Sequence, residues 1–87
     1  MLTLKDCMAM SGLEDDEIEA IAEHEHIPEI AATEMGNYLL STSDGRRRIK
    51  QMLIDDLVHA CEIGNARRAN GLRRVISNYV SHHPDCL

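Results

Sequence analysis

The chain has 87 residues, a formal net charge of −6 and only two aromatic residues, both of them tyrosines. This length suits a single domain with a limited core. No run approaches the roughly 18 apolar residues that predict a membrane span, so we expect no membrane partner. The scarcity of aromatic side chains argues against a base-stacking platform for nucleic acid.

The cysteines and the first residues predict the cellular compartment. The start of the sequence lacks a basic segment followed by an apolar one, so we expect no secretory signal. Cys7, Cys61 and Cys86 form an odd, widely spaced set, which does not predict a disulfide framework. We therefore expect reduced thiols and a cytoplasmic location.

Periodicity and helix caps predict short, acidic helices over residues 3–40. The first is expected over about 3–10. The second, over about 14–25, begins in an acidic run that the positive end of a helix dipole favours. The third runs from Pro28 to about Leu40, since proline suits a first helical turn. Its predicted apolar side consists of Ile27, Ile30, Ala31, Met35, Tyr38 and Leu39.

The rest of the chain predicts a long helical hairpin. A polar connection precedes the next helix, and Ser43 is its expected N-cap. One helix is predicted over about 44–63, and another from about 66 to His82 or His83. Because only Gly64-Asn65 joins them, we expect an antiparallel hairpin over 44–83. The predicted apolar stripe of its last helix consists of Ala69, Leu72, Ile76, Tyr79, Val80 and His83.

The predicted helix over 44–63 is apolar around much of its girth. Its main apolar face consists of Ile49, Leu53, Leu57 and Ala60. Ile54 and Val58 lie well round from that face at 100° per residue. Such a helix is either central or covered by a second subunit, and we favour a homodimer with Ile54 and Val58 at the contact. The predicted fold is an all-α bundle of about five helices, forming one domain over 1–87.

Charge is divided between the two halves of the chain. Residues 1–44 contain one base against eleven acids, and residues 45–87 contain eight bases against four acids. We expect the acidic helices to dock against the basic hairpin, within one chain or between subunits. The exposed arginines expected at an interaction surface are Arg46, Arg47, Arg48, Arg67 and Arg74.

Nucleic-acid binding is a weaker interpretation of the same charges. Two helices joined by the short turn at 25–27 resemble a helix-turn-helix. The segment that would enter the major groove, 28–40, has two glutamates and no base, so it would meet phosphates with the wrong charge. A basic route through Arg46, Arg47 and Arg48 is the remaining possibility, and we expect no nucleic-acid partner.

Histidines and carboxylates suggest an alternative metal- or haem-binding function. Glu23-x-x-His26 and Asp56-x-x-His59 have the one-turn spacing of ligand pairs in helical metal proteins. Glu34 is predicted on an apolar face, where a carboxylate is costly unless it is paired or metal-bound. The candidate ligands are His24, His26, Glu34, Asp56 and His59. Satisfied turn and capping histidines are the alternative, and on that interpretation the protein has no cofactor.

No catalytic motif is present in the sequence. It contains no Gly-rich phosphate loop, Gly-x-Ser-x-Gly elbow, Cys-x-x-Cys pair or His-Glu-x-x-His helix. We therefore assign no catalytic residue and favour a protein that is not an enzyme.

The segment Ala22-Glu23-His24-Glu25-His26-Ile27-Pro28-Glu29-Ile30-Ala31 resembles one carried by short bacterial proteins of unknown function. The resemblance implies a bacterial cytosolic protein and no particular chemistry. The favoured function is a non-enzymatic interaction or regulatory module that self-associates and has an unidentified protein partner.

Overall fold

The computed structural model describes residues 12–86, and no β-strand occurs among them. The helices are α1 (Asp15–Glu25), α2 (Glu29–Leu40), α3 (Ser43–Glu62) and α4 (Ala66–His82), followed by a short 3-10 helix, Pro84–Cys86. The predicted all-α class is confirmed for this part of the chain. The helix predicted over 3–10 lies outside the described residues. None of the helices in 12–86 is both long and apolar enough to cross a membrane.

The ends of α1 follow from local sequence. The backbone N–H of Glu14 donates a hydrogen bond to the Glu17 carboxylate at 2.8 Å, which satisfies a free donor at the helix start. His26 ends the helix in the left-handed conformation, with φ of 55°. Pro28 then precedes α2 in extended conformation, so the two helices are joined by a sharp turn.

Side-chain caps set the starts of α3 and α4. The Thr42 hydroxyl accepts the N–H of Gly45 at 2.9 Å, so Thr42 is the N-cap, and the prediction of Ser43 is wrong by one residue. Asn65 caps α4 by accepting the N–H of Arg68 at 3.1 Å. These caps supply acceptors for backbone groups that the helices leave unpaired.

Small and branched aliphatic side chains form most of the core. The predicted apolar faces of α3 and α4 supply the buried residues Ile49, Leu53, Ala60, Ala69, Leu72 and Tyr79, and α1 buries Ile18, Ile21 and Ala22. Helix α3 packs against each of the other three α-helices. It is therefore the central helix of the described bundle.

The predicted apolar side of α2 is wrong in part: Leu39 is buried as predicted, but Ile30 and Tyr38 are not. The helix buries Ala32, Thr33 and Gly36, while Ile30 and Tyr38 are 47% and 78% exposed. A side chain at position 36 would collide with Leu13. Helix α2 therefore packs through small residues together with Leu39, and it leaves Ile30 and Tyr38 on the surface.

Tyr79 and Arg46 connect several chain segments at one end of the bundle. The buried Tyr79 hydroxyl donates to the Arg46 carbonyl at 2.8 Å, which places the end of α4 beside the start of α3. The Arg46 guanidinium donates to the Leu40 carbonyl at 2.7 Å and to Asp85 at 2.8 Å. The expectation that Arg46 is exposed is therefore wrong, because its side chain is engaged within the chain.

Because α2 and α3 are in close contact at Gly45, an alanine there should have the opposite effect on stability from an alanine at Gly71. An added Cβ would overlap the backbone of Leu39, so we expect Gly45→Ala to lower the free energy of unfolding by about 1–3 kcal/mol. Gly71 in α4 has open space around it. Gly71→Ala is therefore expected to raise the free energy of unfolding by up to about 1 kcal/mol, through helix propensity. Chemical denaturation measures both, and effects of the same sign would contradict the packing.

Candidate functional site

The residues predicted to bind a metal are dispersed in the structure. His24 is half-buried in α1, with Nδ1 2.9 Å from Glu25 and Nε2 3.5 Å from Asp55. His26 is exposed at the end of α1, and Glu34 is exposed on α2. The expectation that Glu34 lies in a buried face is wrong, because α2 turns its small residues inward.

Asp56 and His59 are the two members of the predicted metal set that share a cavity. This cavity has a volume of about 290 Å³ and is lined by Glu23, Asp56, His59, Ala60, Ile63, Asn65 and Arg68. Among residues 12–86, no three His, Cys, Asp or Glu side chains are grouped so as to hold a metal ion. The cavity therefore has mixed chemistry rather than the composition of a metal centre.

Three helices position the polar side chains of this cavity. Glu23 lies in the last turns of α1, and Asp56 and His59 lie one turn apart on α3. Arg68 lies in the first turn of α4, whose start the Asn65 cap determines. A salt bridge between Arg68 and Glu23 links α4 to α1 along the cavity wall.

Asp56 has an unusual environment for a carboxylate. Its Oδ2 atom is buried and accepts no hydrogen bond within the described structure. Burial raises the pKa of this carboxyl group, and the nearby positive charges of His24 and Arg68 act in the opposite direction. A buried carboxylate oxygen without a donor destabilises the folded chain, so Asp56 is not explained by stability alone.

The charges around the cavity are not balanced among themselves. Glu23 and ionised Asp56 carry two negative charges against the one positive charge of Arg68, which forms its salt bridge with Glu23 and also acts to lower the pKa of Asp56. His59 is exposed at the rim. With a neutral histidine, the lining therefore carries one excess negative charge, next to the apolar side chains of Ala60 and Ile63.

Glu23 enters the sequence-based expectations only through its one-turn spacing to His26, and neither Glu23 nor Arg68 is among the predicted site residues. Glu23 lies off the apolar stripe of α1 and is exposed, so periodicity gives no sign that it faces the start of α4. Arg68 was counted only as part of a general positive charge. A useful signal was the Asn65 cap, since a capped helix start predicts which residues occupy its first turn.

The predicted interaction residues lie away from this cavity. Arg47, Arg48, Arg67 and Arg74 are exposed, whereas Arg46 is half-buried. On α3, Val58 is 49% exposed and Ile54 is half-buried. The 100° spacing of helical residues puts Ile54 and Val58 on the side of α3 opposite Asp56. The apolar surface and the cavity are therefore separate features of one helix.

Comparison with known proteins gives no match: no family model, curated protein or solved structure aligns with the chain.

The raised pKa of Asp56 predicts a pH-dependent stability difference. The folded chain holds this proton more tightly than the unfolded chain, so the stability that Asp56 contributes is largest below its ordinary pKa of 3.8 and is lost as the pH rises through the folded value. We therefore expect Asp56→Asn to gain stability relative to the wild type as the pH is raised from about 4 to about 7. Denaturation at several pH values measures the difference.

The matched control is Asp55→Asn, which removes one carboxylate from the exposed neighbouring position. It is expected to show no such gain with rising pH. If the two variants changed in parallel with pH, the assignment of the effect to the buried oxygen of Asp56 would be wrong.

Proposed function

We propose that the protein is a non-enzymatic interaction module that self-associates through the outer face of α3. The observation that carries this proposal is the exposure of Val58, at 49%, on the central helix of the described bundle. Five residues at helical spacing form one stripe along α3: Arg47, Gln51, Ile54, Val58 and Glu62. We call this stripe the α3 outer face.

The α3 outer face is suited to pairing with a second copy of itself. Suppose that a twofold axis crosses the α3 outer face midway between Ile54 and Val58 and that the two helices run antiparallel. Ile54 of one copy then meets Val58 of the other, because both lie the same distance along the helix from the axis. Burial of these side chains favours association, since each is partly in contact with water in the single chain.

In the same antiparallel arrangement, the basic end of α3 in one copy lies beside the acidic end of α3 in the other. Arg48 of one copy and Glu62 of the second copy lie on the same flank, about 3 Å apart along the helix axis at a rise of 1.5 Å per residue. Arg47 lies at the same end. Asp55 approaches its own counterpart near the axis, but each copy holds it through the Gln51 amide at 2.8 Å.

The exposed side of α2 is a poorer surface for self-association. Ile30 and Tyr38 are its exposed apolar residues, and Glu34 lies midway between them at helical spacing. A symmetric pairing that buried both would place Glu34 against its own counterpart. Like charges in that position oppose association, so the α3 outer face is preferred.

The proposed architecture is the antiparallel hairpin over 44–83, with α3 presenting its outer face to the second copy. A contact made by one pair of helices buries an area at the lower end of specific interfaces, so we expect a reversible dimer. The exposed Arg67 and Arg74 on α4 stay outside this contact and are the residues proposed for a further protein partner. The proposed cytoplasmic location is supported by the cysteine content alone.

Sedimentation velocity over a concentration series tests the proposal. The wild type is expected to dimerise reversibly. Val58→Glu is expected to raise the dimer dissociation constant by about tenfold or more, because it puts a charge into the apolar centre. Tyr38→Glu, an equivalent change on α2, should leave the constant unchanged. A monomeric wild type, or a dimer broken only by Tyr38→Glu, would reject the α3 outer face.

A charge exchange tests the symmetry of the contact. Glu62→Arg alone and the double change Arg47→Glu/Arg48→Glu are each expected to weaken dimerisation, because each places like charges together. The chain that carries all three changes restores opposite charges across the twofold axis. Its dimer dissociation constant should therefore be lower than that of either parent variant. If the three changes together weakened the dimer by the sum of the two separate effects, the antiparallel arrangement would be excluded.

A further inference from the structure

His24 lies between two carboxylates that belong to different helices. Its Nδ1 atom is 2.9 Å from the Glu25 carboxylate on α1, and its Nε2 atom is 3.5 Å from the Asp55 carboxylate on α3. A neutral imidazole has one N–H group and one lone pair, whereas a protonated imidazole has two N–H groups. Only the protonated ring can therefore present a donor to both carboxylates at once.

The charged groups around His24 come from α1 and α3. Glu25 and Asp55 face its two ring nitrogens, and Arg48 lines the same cavity. Burial raises the pKa of Asp56, and the positive charge of His24 acts against that shift. When they are ionised, these neighbours carry three negative charges and one positive charge. A proton on the His24 ring therefore reduces a local excess of negative charge.

Asp55 also lies at the edge of the α3 outer face, 100° around the helix from Ile54. In the proposed antiparallel arrangement, the two copies of Asp55 lie on the same flank, about 3 Å apart along the helix axis at 1.5 Å per residue. Like charges placed in this way oppose association. The Gln51 amide donates to Asp55 Oδ1 at 2.8 Å, but a neutral amide leaves the charge in place. His24 faces the other oxygen, Oδ2, and is the group that can offset this charge.

We propose that protonation of His24 strengthens self-association, so that the dimer is regulated by pH. This inference rests on the proposed contact through the α3 outer face. Each protonated ring places a positive charge beside Asp55 of its own copy and thereby reduces the repulsion between the two copies. By reciprocity, dimerisation favours proton uptake at His24. The dimer is therefore tighter at low pH, and it weakens as the pH rises through the range of about 5 to 8 in which imidazoles change charge.

The other histidines of the described chain are less well placed for this role. His82 is 3.9 Å from Glu14, at the opposite end of α1 from His24. The ring of His83 packs against Tyr79, and His26 is exposed beyond the end of α1. His59 is exposed one turn after Asp55 on α3, so it is the alternative that an experiment has to separate from His24.

Sedimentation velocity of the full chain at pH 5.5, 6.5 and 7.5, at constant ionic strength, tests the proposal. The dimer dissociation constant of the wild type is expected to be about two- to tenfold lower at pH 5.5 than at pH 7.5, as for two partly exposed ion pairs.

Variants separate His24 from the general fall in negative charge at low pH. His24→Gln cannot take up a proton and is expected to remove most of the pH dependence. His59→Gln and His82→Gln each remove a histidine from another position, and both should keep the dependence of the wild type. Asp55→Asn should lower the dissociation constant at pH 7.5 and also remove most of the pH dependence. Circular dichroism at each pH verifies that the variants are folded.

The outcomes distinguish this inference from the proposed dimer. A wild-type dimer whose dissociation constant does not fall with pH would overturn the role of His24 while leaving the α3 outer face in place. The same holds if the constant falls equally in His24→Gln, or if His59→Gln alone removes the dependence. A wild type that is monomeric at all three pH values would reject both the dimer and its regulation.

Discussion

The hydrogen bond from Tyr79 to the carbonyl group of Arg46 holds the described helices in their arrangement. The chain contains neither phenylalanine nor tryptophan, and Tyr79 is its largest fully buried side chain among residues 12–86. A buried hydroxyl needs a partner, and the Arg46 carbonyl near the start of α3 provides it. Tyr79 can therefore fill the core only when the end of α4 lies beside that carbonyl. The Arg46 side chain extends the same junction to Leu40 and Asp85.

Glu17 and Asp56 each have one buried carboxylate oxygen without a hydrogen-bond partner among residues 12–86. Glu17 is 1% exposed, one of its oxygens has no partner within 12–86, and burial raises its pKa. Its other oxygen accepts the N–H of Glu14 at the start of α1, so Glu17 has a clear structural role. Asp56 caps no helix in the described structure. No hydrogen bond within residues 12–86 offsets the cost of its buried oxygen.

Helix identity and most of the core followed from the sequence, because aliphatic periodicity and capping residues are local properties. The faces of α1, α3 and α4 could be predicted from Ile18, Ile49 and Leu72 and their helical neighbours. The face of α2 was predicted only in part, since Leu39 is buried as expected while Gly36, not Ile30 or Tyr38, faces the interior beside Leu13. Backbone approach between helices depends on tertiary structure, and hydrophobicity alone does not reveal it.

The candidate site was less predictable for a related reason. Asp56 and His59 are one turn apart, so their proximity could be read from the sequence. Glu23 and Arg68 are 45 positions apart along the chain, and only the packing of α1 against the start of α4 brings them together. Their salt bridge also places the single arginine of the cavity lining beside two carboxylates, Glu23 and Asp56.

Charge segregation has a smaller part in the fold than its size in the sequence suggests. Helices α1 and α2 are acidic, and the arginines lie on helices α3 and α4. Among the described residues, a single ion pair with an arginine joins the two sets of helices, and it is Arg68–Glu23. Exposed pairs contribute little free energy, whereas the Tyr79 junction and the Gly36 contact restrict the geometry directly. Exposed arginines such as Arg48 and Arg67 are thus not needed to align the helices. Their charge remains on the outer surface, where it influences which molecules approach and in what orientation.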